Sequence, residues 1–137
     1  MAPLDQSRPR FLIIDDEEST RLLLARMMSS ELGADCQLAG TCEQAIKLAE
    51  SASYDVILLD LLMPGVGGVA ILKDIRAGQS NAATPVIVVS VVSEPRTIRE
   101  CLSLGANAYH VKPVRRAELV EQVKRQIAAA RPAAAVR

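Results

Sequence analysis

The chain has 137 residues, a length that fits one ordinary domain, and its sixteen basic and sixteen acidic side chains cancel. That neutrality argues against direct contact with nucleic acid, which calls for a basic surplus facing the phosphates. Half of the residues are hydrophobic, enough for a core without metal or disulfide staples, and the scattered Cys36, Cys42 and Cys101, with His110 as the single histidine, form no CxxC or Cys/His metal pattern.

Residues 1–9 read as a disordered lead. Residues 10–14 (RFLII) form an apolar run suited to a buried strand, and it stops at Asp15-Asp16. Residues 18–32 lack Gly and Pro and are rich in helix formers, with Gly33 as the stop. A weakly alternating second strand (35–40) leads to Thr41 and Gln44, whose spacing fits a capping box and predicts a helix over about 42–52. Residues 54–60 (YDVILLD) are the third strand, which ends on Asp60. The glycine-rich stretch after Pro64 opens a third helix over about 67–77, with Ile71, Leu72 and Ile75 inward and Gly78 at its end.

Residues 85–90 (PVIVVS) are the most strand-like segment and end on Ser90. Ser93 is placed as the cap of a fourth helix with Pro95 in its first turn; Ile98, Cys101 and Leu102 form its apolar face and Gly105 closes it. Residues 108–111 (AYHV) are a short fifth strand ending at Lys112, with His110 facing outward. Leu119, Val120, Val123 and Ile127 make one face of a last helix over about 115–130. Residues 131–137 read as a tail or the start of a linker. The domain therefore spans 10–130. No signal-peptide pattern or bilayer-length apolar run is visible, so the expectation is a soluble, cytoplasmic protein with reduced thiols and no membrane contact.

Strict alternation of apolar strands and helices implies an α/β fold, a parallel sheet covered on both faces, with its site beyond the carboxyl ends of the strands. Four of the five strand ends carry reactive groups: Asp15-Asp16, Asp60, Ser90 and Lys112. Converging carboxylates repel, and an oxygen-only donor set favours Mg²⁺ as the remedy. With Lys112 as a second positive pole, Asp60 is a candidate nucleophile for a phosphoryl group, and Ser90 a hydrogen-bond donor to it. The glycines after Pro64 let the backbone fold close to the metal, which makes a carbonyl near Leu62 a candidate ligand.

These residues resemble a known family, the response-regulator receiver domain of two-component signalling, in its chemotaxis-receiver-like form. The likeness covers residues 10 to about 130 and rests on the acidic pair Asp15-Asp16, the stretch DLLMPGVGG from Asp60, the hydroxyl of Ser90 and Lys112-Pro113. It implies a flavodoxin-like, doubly wound five-stranded parallel sheet of order 2-1-3-4-5 with five helices. It implies a signalling domain rather than an enzyme, with only self-phosphorylation and self-dephosphorylation chemistry. By the same likeness a sensor histidine kinase or histidine phosphotransfer protein phosphorylates Asp60. Asp16, Asp60 and the carbonyl of Leu62 bind Mg²⁺ directly, Asp15 acts through water, and Lys112 pairs with the phosphoryl oxygens. Ser90 and Tyr109 are the switch pair, and the Lys112-Pro113 bond is usually cis. A downstream effector or an output domain completes the partners, with the face of helix 4, strand 5 and helix 5 as a homodimer surface.

Four positions depart from the common pattern. Gly67 stands where many relatives carry Asp, and Val91 where a small residue is usual. Leu62 and Val92 are apolar at positions that influence the phosphoryl lifetime, which predicts slow self-dephosphorylation. Two rival readings are a constitutive interaction module and a Mg²⁺-dependent phosphatase. The retained acids and lysine oppose the first, and the absence of a DxD motif on the first strand opposes the second. Glu17 and Glu18 read as acids favouring a helix N-terminus, and Arg96, Arg99, Arg115 and Arg116 as solvated faces.

Overall fold

A computed structural model describes residues 8–130. Strands β1 (Arg10–Ile14), β2 (Asp35–Ala39), β3 (Val56–Leu59), β4 (Val86–Ser90) and β5 (Ala108–Val111) alternate with helices α1 (Glu18–Leu32), α2 (Cys42–Ser51), α3 (Gly67–Ala77), α4 (Pro95–Ser103) and α5 (Arg116–Ala130). All four strand pairings are parallel and the order is β2-β1-β3-β4-β5, the flavodoxin-like arrangement expected from the resemblance. No helix among the described residues is long and apolar enough to cross a membrane.

The period of two along each strand divides the core into two layers. Leu12, Ile14, Ile57, Leu59, Val86 and Val88 face α2, α3 and α4, where Ala45, Ile71, Leu72 and Cys101 meet them. Phe11, Ile13, Val56, Leu58, Ile87 and Val89 face α1 and α5, against Leu24, Met28, Leu119 and Val123. Because β1, β3 and β4 are buried on both faces, they read in sequence as unbroken apolar runs.

Local chemistry sets the element ends. Thr41 caps α2 by accepting the N–H of Gln44, and Gln44 returns the bond by accepting the N–H of Gly40 at 2.9 Å. Gly33 ends α1 in the left-handed conformation, φ 65°. Ser93 does not cap α4. The N-cap position is Glu94, with no side-chain cap bond, and Pro95 at the first helical position sets the start, since its fixed φ suits the helix and it has no N–H to leave unpaired. β3 begins two residues later than expected because Tyr54 gives its N–H to Asn81 Oδ1 rather than to a neighbouring strand.

Asn81 is a buried hub at the amino edge of the sheet. It donates to the carbonyls of Ala49 and Ala52 at 2.6 and 2.7 Å and accepts from Tyr54 N and Thr84 Oγ1. Arg76 of α3 joins this edge by donating to the carbonyls of Asn81 and Gly105 and to Asn107 Oδ1. Of the lead expected over 1–9, Arg8 and Pro9 are held in place: Arg8 pairs with Asp35 at 3.2 Å, and the Pro9 carbonyl accepts the Asp35 N–H at 2.8 Å. The rest of that lead and the tail over 131–137 lie outside the described residues.

His110 does not face outward. It is fully buried, on the side of the sheet covered by α5, where its ring meets Gln122 and the N–H of Arg115. β5 is an edge strand, but its open side lies in the plane of the sheet. Helices cover both of its faces, so strand alternation there did not separate core from solvent.

Candidate functional site

The parallel register carries β1, β3 and β4 to the same edge, where Asp15 and Asp60 follow the last paired residues of β1 and β3 and Ser90 is the last residue of β4. Asp15 follows β1 and is buried; its N–H bonds the Ala39 carbonyl at 3.1 Å. Its Oδ1 accepts the N–H of Glu17 at 2.9 Å, and its Oδ2 accepts Lys112 Nζ at 2.8 Å. Asp60 follows β3, is 5% exposed, and bonds the Ile14 carbonyl through its N–H. Its Oδ1 accepts the N–H of Leu62 at 3.1 Å and its Oδ2 accepts Lys112 Nζ at 3.0 Å. Asp16 is exposed at the rim. Asp15, Asp16 and Asp60 each offer a carboxylate oxygen, all within 4.8 Å of one another.

One ammonium against three carboxylates leaves the site short of positive charge. Burial lowers the proton affinity of Lys112, yet its hydrogen bonds to Asp15 and Asp60, with their charges, outweigh this and hold the ammonium above its ordinary range. Burial pushes the carboxyl of Asp15 up, and neither Lys112 nor the Glu17 N–H fully offsets it. The donor set is oxygen only, two of its members are buried, and among the described residues Lys112 is the one cation paired with them. These features fit a hard divalent cation such as Mg²⁺.

Glycines shape the loop after Asp60. Gly65 and Gly67 adopt φ of 92° and 82°, a region that favours glycine. Gly68 is constrained differently. A Cβ there would lie 2.4 Å from the Asp60 carbonyl oxygen and 2.5 Å from Leu61 Cα, so the first turn of α3 lies directly on the backbone that carries Asp60. Its N–H also bonds the Leu61 carbonyl at 2.9 Å.

Ser90 is buried at the end of β4, its Oγ accepting the N–H of Val92 at 3.3 Å. Its carbonyl accepts the N–H of Lys112 at 2.8 Å, which ties the lysine to β4. Tyr109 is half-buried and its hydroxyl donates to the Val92 carbonyl at 2.6 Å. The fold thus brings Asp15, Asp16, Asp60 and Lys112 into one cluster, joins Ser90 to it through the lysine backbone, and connects Tyr109 to the same loop as Ser90. Leu62 meets Asp60 through its N–H while its side chain is exposed. Val91 and Val66 are exposed as well.

One supporting residue carried no readable signal. Arg21 Nη1 donates to the Asp15 carbonyl at 2.8 Å, a link between α1 and the loop before it that spacing does not reveal. Arg21 also lies against Gly40, where a Cβ would meet the guanidinium at 2.5 Å. The glycine pair at 67–68 was visible, but the reason for Gly68 was not.

A family profile described as the response regulator receiver domain matches residues 11–124. The chain belongs to the response regulator receiver family. The receiver is 35% identical over 114 residues to the sensory/regulatory protein RpfC of Xanthomonas campestris pv. campestris, a match covering 82% of the receiver and 16% of RpfC. It is 34% identical over 122 residues to the transcriptional regulatory protein ResD of Bacillus subtilis, covering 88% of the receiver and 49% of ResD. The chain therefore spans half or less of the length of these relatives. Among solved structures, the receiver domain of a sensor histidine kinase from Pseudomonas aeruginosa PAO1 superposes with a TM-score of 0.79 at 31% identity, covering 88% of this receiver and 98% of that one. That structure has a magnesium ion coordinated in its active-site cleft. A two-component response regulator from Clostridium difficile superposes with a TM-score of 0.82 at 26% identity, over 88% and 97% of the two chains.

Proposed function

We propose that this receiver takes a phosphoryl group onto Asp60 from the phosphohistidine of a sensor histidine kinase or histidine phosphotransfer protein. The observation that carries the reading is the position of Asp60: buried at a strand end, 3.0 Å from Lys112 Nζ, within a cluster of three carboxylates. A carboxylate oxygen of Asp60 forms the new P–O bond as the P–N bond of the donor breaks, and the imidazole leaves with the bonding pair. Such transfer depends on positioning and on neutralising the phosphoryl oxygens. Lys112 exchanges one carboxylate contact for a phosphoryl oxygen. The Ser90 hydroxyl, which now accepts from Val92, rotates to donate to another. Asp16, Asp60 and the Leu62 carbonyl would hold Mg²⁺ directly and Asp15 through water. When bound, the ion supplies the positive charge that the cluster lacks.

Output follows from the loop after Ser90. Tyr109 is bonded to Val92 in that loop, so a shift of Ser90 toward the phosphoryl group reaches the surface of α4 and β5. Residues 10–130 act as the receiver and residues 131–137 as a tail or linker. The signal passes to a downstream effector or output domain, with the α4-β5-α5 face as a homodimer surface, without direct nucleic-acid or membrane contact and in the cytoplasm. Intact-mass spectrometry after incubation with acetyl phosphate tests the central claim. A gain of one phosphoryl group is expected with Mg²⁺, and none without Mg²⁺ or in Asp60→Asn. No gain in the unaltered chain under any condition would overturn the reading.

A further inference from the structure

His110 is fully buried, while its neighbours Tyr109 and Val111 on β5 are half-buried. Both ring nitrogens are engaged. Nε2 accepts the backbone N–H of Arg115 at 3.1 Å, and Nδ1 lies 2.8 Å from Gln122 Oε1. Gln122 turns its amide nitrogen away to donate to the Tyr109 carbonyl at 3.2 Å, so its oxygen faces the ring. Glu118 Oε2 stands farther off, 3.5 Å from Nδ1, and is taken by Arg115 Nη2. Assigned from these partners, the ring is the neutral tautomer with its proton on Nδ1.

These bonds close a loop. The chain leaves β5 after Val111, passes Lys112 and Pro113, and enters α5 at Arg116. At its start the loop is tied to β4, through the Lys112 N–H on the Ser90 carbonyl. At its end it is tied back to β5, through the Arg115 N–H on His110. An amide at a helix start has no acceptor within the helix, so the ring supplies what the backbone does not. Lysine carries a long, flexible side chain whose ordering costs entropy. Nevertheless Lys112 Nζ reaches two carboxylates at 2.8 and 3.0 Å.

We propose that His110 is a positioning residue for Lys112: its neutral imidazole braces the β5–α5 loop and so fixes the backbone from which the ammonium reaches Asp15 and Asp60. The ring's hydrogen bonds all go to α5 and its approach, so its effect passes through the loop and not through the reacting atoms. The proposal rests on the reading of Asp60 as acceptor and Lys112 as its counter-charge. It predicts that an acceptor for the Arg115 N–H matters more than the ring itself.

The test is a double-mutant cycle on the full chain, following acetyl phosphate labelling by intact mass at saturating Mg²⁺. His110→Leu fills the space but offers no acceptor. It is expected to slow labelling about tenfold when Lys112 is present. In a Lys112→Ala background it should change the rate by no more than about twofold. His110→Gln, which restores an acceptor, should recover most of the rate. An equal loss in both backgrounds, or no loss, overturns the proposal. Should His110→Leu not fold, His110→Phe, a ring of similar shape that offers the Arg115 N–H no acceptor, takes its place with the same expectations. If the unaltered chain takes up no phosphoryl group, the phosphoacceptor reading fails, and the brace is judged by the ε-methylene NMR signals of Lys112. Collapse of a shifted Lys112 signal to free-lysine values in His110→Leu supports the brace, and an unchanged signal overturns it.

Discussion

At the scale of single residues, Lys112 and Asp60 explain why a buried strand ends on an acid. Asp60 is nearly enclosed, yet its Oδ2 is held by one ammonium and its Oδ1 by one backbone N–H. Either contact can be exchanged without moving the strand. Leu62, exposed and bonded to Asp60 through its N–H, and half-buried Val92, in the loop after Ser90, offer no group to orient water. The phosphorylated receiver is therefore expected to decay slowly. Leu62→Asn and Val92→Glu together should shorten its lifetime about tenfold, read from loss of the phosphoryl mass over time. A decay that neither change accelerates would place the control of hydrolysis elsewhere. Val91, which stands where a small residue is usual, is 57% exposed, so its branched side chain extends largely into solvent.

At the scale of elements, the closest constraint is the seat of α3 on the loop after Asp60. Gly68 has no room for a methyl group, because the obstructing atoms are backbone atoms of Asp60 and Leu61 rather than flexible side-chain ends. Gly68→Ala must move either the helix or the acid. It is expected to cost about 1–3 kcal/mol in urea unfolding, as overpacking usually does. It should also slow phosphorylation, because Asp60 shifts with the loop. Gly67→Ala meets no neighbour within 4 Å but requires a left-handed backbone at φ 82°, so its cost should appear in stability with less effect on the acid. Comparing the two variants separates a steric demand from a backbone demand within one turn.

At the scale of the whole molecule, the sheet brings together charges that oppose folding. Asp15 sits above its ordinary carboxyl range, so near that range the folded state binds more protons than the unfolded one. Its contribution to stability therefore falls as pH rises from about 3.8 through its raised folded value. Mg²⁺ held by the folded cluster alone would stabilise it by mass action. The melting temperature of the receiver is expected to rise with Mg²⁺ at neutral pH, and to rise far less in Asp16→Asn, as measured by circular dichroism. Na⁺ at matched ionic strength reports how much of the effect is screening. No rise with Mg²⁺ would argue against a divalent ion at this cluster.

Much of this protein was legible in its sequence because the relevant signals are local. Unbroken apolar runs such as Val56–Leu59 mark strands buried on both faces, Thr41 with Gln44 marks the start of α2, and strict alternation with helices dictates a parallel sheet. Once the sheet is parallel, every strand end falls on one edge, and Asp15, Asp16, Asp60, Ser90 and Lys112 converge without further information. Only the tertiary structure decided what distant segments do when they meet. Asn81 and Arg76 satisfy carbonyls far away in the chain, a task that depends on which loops approach one another. Likewise, His110 was placed on the wrong side of its environment, because alternation assigns parity while burial depends on what covers each face. α5 covers that face, and its Gln122 and Arg115 turn the one histidine of the chain into a buried brace beside the site.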